Sequence, residues 1–408
     1  MQSLISDSEV KPVVNIYGMV IVDECHHVSA VSFELVLREI RSKYVYGLTA
    51  TPKRSDGHQP IIFMQCGPIR YSADAKDYAA KHGFEHILIP RFTKFRTELS
   101  DEKPSITDVY RQLAESEYRN NLIVQDVIAA VQDGRTPIII SERMSQIETL
   151  YDMLKDCADN VIVLSGQGTA KSKKECLESV RNVPSSESLI LLATGKYAGE
   201  GFDEPRLDTL FLVLPISWDG KLSQYVGRLH RKYDGKSEVV IYDYVDINVH
   251  MLENMYKKRL RGYAKLGYAP KPVSNDGYKT IYTDDFENDL FRDISCAKHY
   301  IIVSSDYIPS GKQFSLIKAL EQGKLNGAKA VVILKNSDND YHHKTVALLS
   351  AHDIQSGVKN YLAHSFVMID GKTVWYASDS LFGKSDDNCV IRVSDEVLAG
   401  ELADSVLN

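Results

Sequence analysis

The run Met19-Val-Ile-Val22 ends without transition in Asp23, Glu24, Cys25 and His26. Four apolar residues followed at once by two carboxylates predict a buried parallel strand presenting charge at its carboxyl end, the edge where open α/β sheets place ligands. A metal nucleotide suits that edge, because one carboxylate can hold Mg²⁺, directly or through water, while the next orients an attacking water. A strand end with solvated acids is the plainer alternative, and the quartet alone does not decide between them.

Further elements follow in order. Tyr44-Val-Tyr-Gly-Leu48 leads into Thr49-Ala50-Thr51-Pro52, Lys53 and Arg54. Much later come Ala193-Thr194-Gly195, Glu200-Gly201-Phe202-Asp203 and Gln224-Tyr-Val-Gly-Arg-Leu-His-Arg231. This series resembles the superfamily 2 helicases and translocases, with their DECH or DEAD box, S/T-A-T element, threonine-glycine element and Q-x-x-G-R-x-x-R element. Gly47-Leu-Thr-Ala-Thr-Pro-Lys-Arg54 further resembles the DNA-directed branch that includes repair translocases and restriction-enzyme motor subunits.

The resemblance implies ATP and Mg²⁺ as cofactors and DNA as partner. Asp23 and Glu24 would serve metal and water as catalytic residues, and His26, Thr49 and Thr51 would couple nucleotide to DNA. Gly201, Asp203 and Gln224 would bind nucleotide, and Arg228 and Arg231 would act on its phosphates. Arginine suits that role because its rigid fork binds phosphate oxygens in pairs. Gln224, Arg228 and Arg231 are spaced to share one helix face. Arg143, after the strand Pro137-Ile-Ile-Ile140, and Thr194 fall where such motors touch nucleic acid.

The family also carries a P-loop ahead of its DECH box. No G-x-x-x-x-G-K-[ST] occurs in the 408 residues. The lone Gly371-Lys372-Thr373 follows Asp370 between two alternating apolar runs and reads as a hairpin turn. The expectation is a truncated or split motor that hydrolyses ATP feebly or not at all unless a separate polypeptide supplies the P-loop.

A chain of this length exceeds a single core, which seldom grows past roughly 250 to 300 residues. The expected fold class is α/β. A partial RecA-like domain at 1–75 and a connector at 76–116 precede a complete RecA-like helicase C-terminal domain at 117–272. Within the last, Ile123, Val127 and Val131 mark a helix stopped by Gly134, and strands and helices then alternate in a βαβ pattern. Lys257, Lys258 and Arg259, with Tyr256, Tyr263 and Tyr268 nearby, read either as a single-strand contact or as a solvated closing helix.

Residues 281–408 form a third α/β unit, with Phe314, Ile317 and Leu320 marking an amphipathic helix. His364-Ser-Phe-Val-Met-Ile-Asp370, with Ser378 beyond, resembles the H-x-K-x-x-x-x-D motif and trailing serine of phospholipase D-type nucleases. Phe366 stands where that family has lysine, so an anionic transition state loses its main partner and the unit reads as degenerate. His364 is expected to cap the adjacent hairpin. Two further readings stay open: a non-hydrolysing DNA-binding pseudo-helicase, and a nuclease whose motor portion only positions DNA.

Composition bounds these readings. Hydrophobic residues make up 44% and charged residues 25%, values of a globular chain with real cores. A net charge of -7 excludes a uniformly basic coat, though not a local basic groove. Six cysteines without a Cys-x-x-Cys pair predict reduced thiols in a cytoplasmic protein, and no leader or membrane-length apolar run is recognisable.

Overall fold

The computed structural model describes residues 4–6, 9–23, 25, 31–49, 59–71, 83–97, 105–165, 170–195, 204–216, 221–270, 281–282, 286–336, 340–383 and 388–407. The chain divides into two bodies, Met1–Tyr78 with Asp219–Gln224, and Ala79–Trp218 with Tyr225–Asn408.

In the first body, β1 (Ile5–Ser6) and β2 (Glu9–Val10) make a short hairpin, and β3 (Met19–Val22) pairs in parallel with β4 (Tyr44–Gly47). Alternation along the strands sends Val20, Val22 and Val45 toward a small core with Cys25, Leu37 and Ile62. That core draws on α1 (Val31–Glu39) and α2 (Gln59–Cys66). Met19, Ile21, Tyr44 and Tyr46, on the alternate positions, remain exposed.

The second body holds two sheets of seven strands. The first sheet runs β11-β5-β10-β9-β6-β8-β7, with every pair parallel. Its members are β5 (Glu85–Phe92), β6 (Pro137–Ser141), β7 (Asn160–Leu164), β8 (Leu189–Thr194), β9 (Thr209–Leu212), β10 (Glu238–Val245) and β11 (Ala269–Pro270). Helices α3 (Ile106–Glu115), α4 (Glu117–Gln132), α5 (Met144–Leu154), α6 (Ala170–Asn182), the part of α7 (Lys221–Leu229) from Tyr225 onward, and α8 (His250–Lys265) connect or flank them. Ile123 and Val127 of α4 pack with Ile147 and Leu150 of α5 against Ile139, Ile190, Leu192 and Phe211 of the sheet. The helix ends as expected, before Gly134 at φ 76°.

The expected connector at 76–116 is corrected here. Its residues Glu85–Phe92 form a strand paired along its whole length with β10, and Ile106–Glu115 form a helix. Pro90 obscured the strand, since proline inside a run argues against a central strand. Among the described residues β11 flanks β5 at Ile87 and Leu88, and no ladder partner is described for the outer side of β5 at Pro90.

The second sheet runs β12-β18-β17-β16-β13-β14-β15. Its strands are β12 (Ile281–Tyr282), β13 (Tyr300–Ser305), β14 (Lys329–Lys335), β15 (Gln355–Lys359), β16 (Phe366–Ile369), β17 (Thr373–Ala377) and β18 (Val390–Ser394). Parallel pairing joins β13, β14 and β15, whereas β12, β16, β17 and β18 pair antiparallel. Helices α9 (Glu287–Ser295), α10 (Ser310–Leu325), α11 (Asp340–Ala351) and α12 (Glu396–Leu407) accompany them.

The hairpin read at Asp370-Gly371 joins β16 to β17. Both residues have positive φ, 52° and 68°, as a type I′ turn requires, and the Lys372 N–H donates to the Ile369 carbonyl. A Cβ at Gly371 would stand 2.4 Å from the Tyr300 hydroxyl, so glycine is needed twice over. In α10, Ile317 and Leu320 are buried as expected, but Phe314 is 75% exposed. At 100° per residue it lies about 120° round the helix from Leu320, off the buried stripe.

Candidate functional site

The first body presents one polar strand edge. The Cys25 N–H donates to the Leu48 carbonyl and the Leu48 N–H to the Val22 carbonyl, both at 2.9 Å. These bonds lace the ends of β3 and β4 together, so exposed Asp23 and half-buried Thr49 leave the same edge of the pair. Glu24, His26 and Thr51 lie outside the described residues. Beneath the edge, burial and then neighbouring Cys25 push the Cys66 thiol up to about 11, so it stays protonated at neutral pH.

Among the described residues no group of three metal-ligating side chains occurs. A carboxylate at a strand end still fits Mg²⁺, which keeps several waters and takes further ligands from phosphates.

In the second body the carboxyl edge of the parallel sheet gathers Arg143 and Thr194. Thr194 is the register partner of Ser141, the last residue of β6, and Arg143 lies two residues beyond it. Glu142, Arg143, Met144 and Ser145 border an open cleft of about 520 Å³ whose other side is Ile106, Thr107 and Tyr110 of α3. The Arg143 guanidinium donates to the Thr107 carbonyl across it.

Buried polar residues that the sequence reading missed hold this turn. Ser141 Oγ receives the Arg143 N–H at 3.1 Å and donates to Gln146 Oε1 at 2.9 Å, and Gln146 Nε2 reaches Asn120 Oδ1 at 3.2 Å. The Tyr225 hydroxyl, on α7, donates to Glu142 at 3.2 Å. Burial, and then the Glu142 carboxylate, raise its pKa well above the usual value and keep it a donor. Gly195 permits this approach, because a Cβ there would meet Glu142 Oε1 at 2.2 Å and the Tyr225 hydroxyl at 2.5 Å.

Gln224 and Arg228 lie one turn apart on α7 and are half-buried. Arg231 corrects the one-helix reading: α7 stops at Leu229, and Arg231 lies exposed beyond it. Lys236 pins that segment by donating to the carbonyls of Pro205, Leu207, Leu229 and Arg231 at 2.6 to 3.0 Å. Burial pulls its ammonium down to about 8, against Asp208 and Glu204, which hold it up. No spacing in the sequence points to this lysine. Gly201 and Asp203 lie outside the described residues.

The basic run at 257–259 is corrected as a single-strand contact. Arg259 is 1% exposed and forks onto Asp243 of β10 at 2.8 and 2.9 Å. Burial opposes its charge, but Asp243 outweighs burial and raises its pKa. Lys257 is paired with Glu253 at 2.8 Å, and Tyr256, Tyr263 and Tyr268 are buried in the core, unavailable to bases. Only Lys258 of the three cations is exposed.

In the mixed sheet, His364 and Asp370 stand at opposite ends of β16. Asp370 accepts the backbone N–H groups of Lys298, His299 and Tyr300, which outweigh burial and hold its carboxyl below the usual range. It thus orients the strand entry and not the histidine. His364 does not cap the hairpin; its Nδ1 lies 2.8 Å from Glu253 Oε1 on α8. Ser378 is buried, with its Oγ accepting the Cys389 N–H at 2.8 Å.

The family model for the type III restriction enzyme res subunit matches residues 1–54. A protein named as an ATP-dependent RNA helicase, L396 of Acanthamoeba polyphaga mimivirus, is 26% identical over 62% of this chain and 48% of its own length. One named as a helicase, 161L of Invertebrate iridescent virus 6, is 30% identical over 62% and 56%. The DNA 3'-5' helicase XPB of Kineococcus radiotolerans is 23% identical over 64% and 45%. The chain therefore spans about half the length of the curated relatives it matches. Among solved structures, T4 UvsW aligns with a TM-score of 0.39 at 18% identity, covering 65% of this chain and 56% of that one. No helix among the described residues is long and apolar enough to cross a membrane. With relatives that carry helicase names in bacteria and viruses alike, the chain is superfamily 2 helicase-like.

Proposed function

We propose that the chain is the motor core of an ATP-dependent DNA helicase or translocase whose phosphate-gripping loop comes from another polypeptide or segment. The observation that carries this reading is the laced β3–β4 edge, which presents Asp23 and Thr49 together within the span matched by the restriction-subunit model. Asp23 and Glu24 hold Mg²⁺ and its water, and His26, Thr49 and Thr51 couple nucleotide to DNA. Gly201, Asp203 and Gln224 contact the nucleotide. Arg228 and Arg231 offset charge that develops on the transferred phosphoryl group.

Arg143 and Thr194 take phosphates of the DNA, with Lys258 as a peripheral contact. Lys257 and Arg259 leave that set, their charges being engaged inside the protein. A partial RecA-like lobe, a complete RecA-like lobe and a degenerate phospholipase D-like domain that docks without cutting complete the reading. Phe366 is fully buried where a phosphate-holding lysine would be needed.

A second reading is a DNA-binding protein that does not hydrolyse ATP. The test measures ATP turnover by the purified chain with duplex DNA, single-stranded DNA and RNA, alone and with a polypeptide bearing a P-loop. Expected are little turnover alone, and DNA-stimulated turnover in the mixture that Asp23→Ala abolishes. DNA binding without turnover in any mixture favours the second reading.

A further inference from the structure

One buried carboxylate joins the two sheets of the second body. Glu253, in the first turn of α8, has a side chain with no exposed surface. Its Oε1 accepts from Lys257 Nζ at 2.8 Å within the same helix. From the 281–408 domain it meets His364 Nδ1 at 2.8 Å and accepts the Tyr376 hydroxyl. The other oxygen, Oε2, has no hydrogen-bond partner, with His250 Nδ1 3.7 Å away. Burial raises this carboxyl, but His364 and Lys257 outweigh it and hold Glu253 down to about 2. It is therefore ionised at neutral pH.

A carboxylate withdrawn from water is stable only where donors converge on it. Two of the three donors here belong to the far domain. The neighbouring contacts are weaker: Tyr256 and Tyr376 rings 6.5 Å apart, and Arg261 Nε 3.4 Å from Ser378 Oγ. At a second point Glu401 of α12 receives Arg96 at 2.8 Å and Asn248 at 2.9 Å. The helix α8 is also tied to β10 through the Arg259–Asp243 fork and the Tyr263 hydroxyl, 3.0 Å from Asp243. Bonds thus run without interruption from β10 through α8 to His364 and β17.

We propose that Glu253 is an internal anion that latches the 281–408 domain onto the lobe of the parallel sheet. It fills a hole made by His364, Tyr376 and Lys257, so the two sheets move as one body. The same contact closes the histidine edge to phosphate esters.

The experiment uses the full chain with Glu253→Ala, which empties the hole, and Glu253→Gln, which fills it without charge. Calorimetry reads whether the second body unfolds in one transition or two, and trypsin cleavage after Lys279 reads separation of the two sheets. In Glu253→Ala the transition splits and cleavage accelerates at least roughly tenfold, equivalent to about 1.4 kcal/mol. Added acetate restores a single transition and slow cleavage in Glu253→Ala, with no effect on wild type or Glu253→Gln. Lost packing alone does not respond to a small carboxylate in that way.

Tyr376→Phe removes one donor and keeps the ring. It accelerates cleavage in the wild-type background and adds nothing to Glu253→Gln. An unsplit transition with unchanged cleavage in Glu253→Ala overturns the latch, as does a split that acetate leaves untouched. Should Glu253→Ala fail to fold, the Tyr376→Phe and Glu253→Gln pair decides, and strictly additive effects reject the latch.

Discussion

The two sheets of the second body end in opposite chemical conditions. In the parallel sheet, β6 and β8 stop side by side at Ser141 and Thr194, and the next residues, Glu142 and Arg143, border an open cleft. At the His364 edge of the mixed sheet, polar groups are engaged internally, His364 with Glu253 and Ser378 with Cys389. Parallel βα turns leave strand ends free to receive a ligand. An antiparallel hairpin with a helix docked on it does not. A residue in a recognisable motif is therefore available for chemistry where the fold leaves it beside open space, as Arg143 is at the cleft, and not where it is enclosed, as His364 is.

That contrast can be broken most forcefully at Arg259, which looks like a phosphate contact and is a buried fork. Arg259→Ala leaves Asp243 buried without its partner and should cost about 3 to 5 kcal/mol in urea unfolding. Lys258→Ala, one residue away and exposed, should stay within about 0.5 kcal/mol. Equal costs at the two positions would erase the distinction between spent and available charge.

Among the residues proposed to act on nucleotide, Arg228→Ala should lower DNA-stimulated ATP turnover on the order of 10³-fold, measured with the P-loop polypeptide present. A variant that turns over normally removes Arg228 from the reaction. Smaller again, Arg143→Ala should weaken DNA binding and reduce the slope of log affinity against log salt by about one. An unchanged slope would mean that the cleft does not hold a phosphate.

The gentlest probe is pH on the closed side. Glu253 is held below its ordinary 4.5, so its contribution to stability is present above that value and is lost as pH falls through about 2. Stability of the second body should drop across that window in the wild type and change less in Glu253→Gln, followed by circular dichroism. Parallel curves for the two proteins would deny Glu253 its shifted proton affinity.

Much of the architecture was legible because it depends on short-range pattern. Apolar runs of four to six residues became β6, β8, β9, β13 and β16, and Asp370-Gly371 became the turn that its backbone freedom allows. The ordered strings that resemble helicase elements can be read from the sequence because each is a local string of residue types. β5 was not legible, because Pro90 and charged neighbours hide a strand whose apolar residues are buried only by pairing with β10, some 150 residues later.

From its sequence alone, this chain determines α/β alternation, helicase kinship and the residues that the motifs name. Tertiary structure decided which named residues still have chemistry to offer. Lys257, Arg259 and His364 carry polar groups in suggestive strings, and each is consumed by a carboxylate that packing brings to it, Glu253 or Asp243. Local pattern sets the identity and periodicity of a side chain. Desolvation and partner geometry depend on what folds against it, and for His364 that partner lies 111 residues away, on a helix that flanks the parallel sheet.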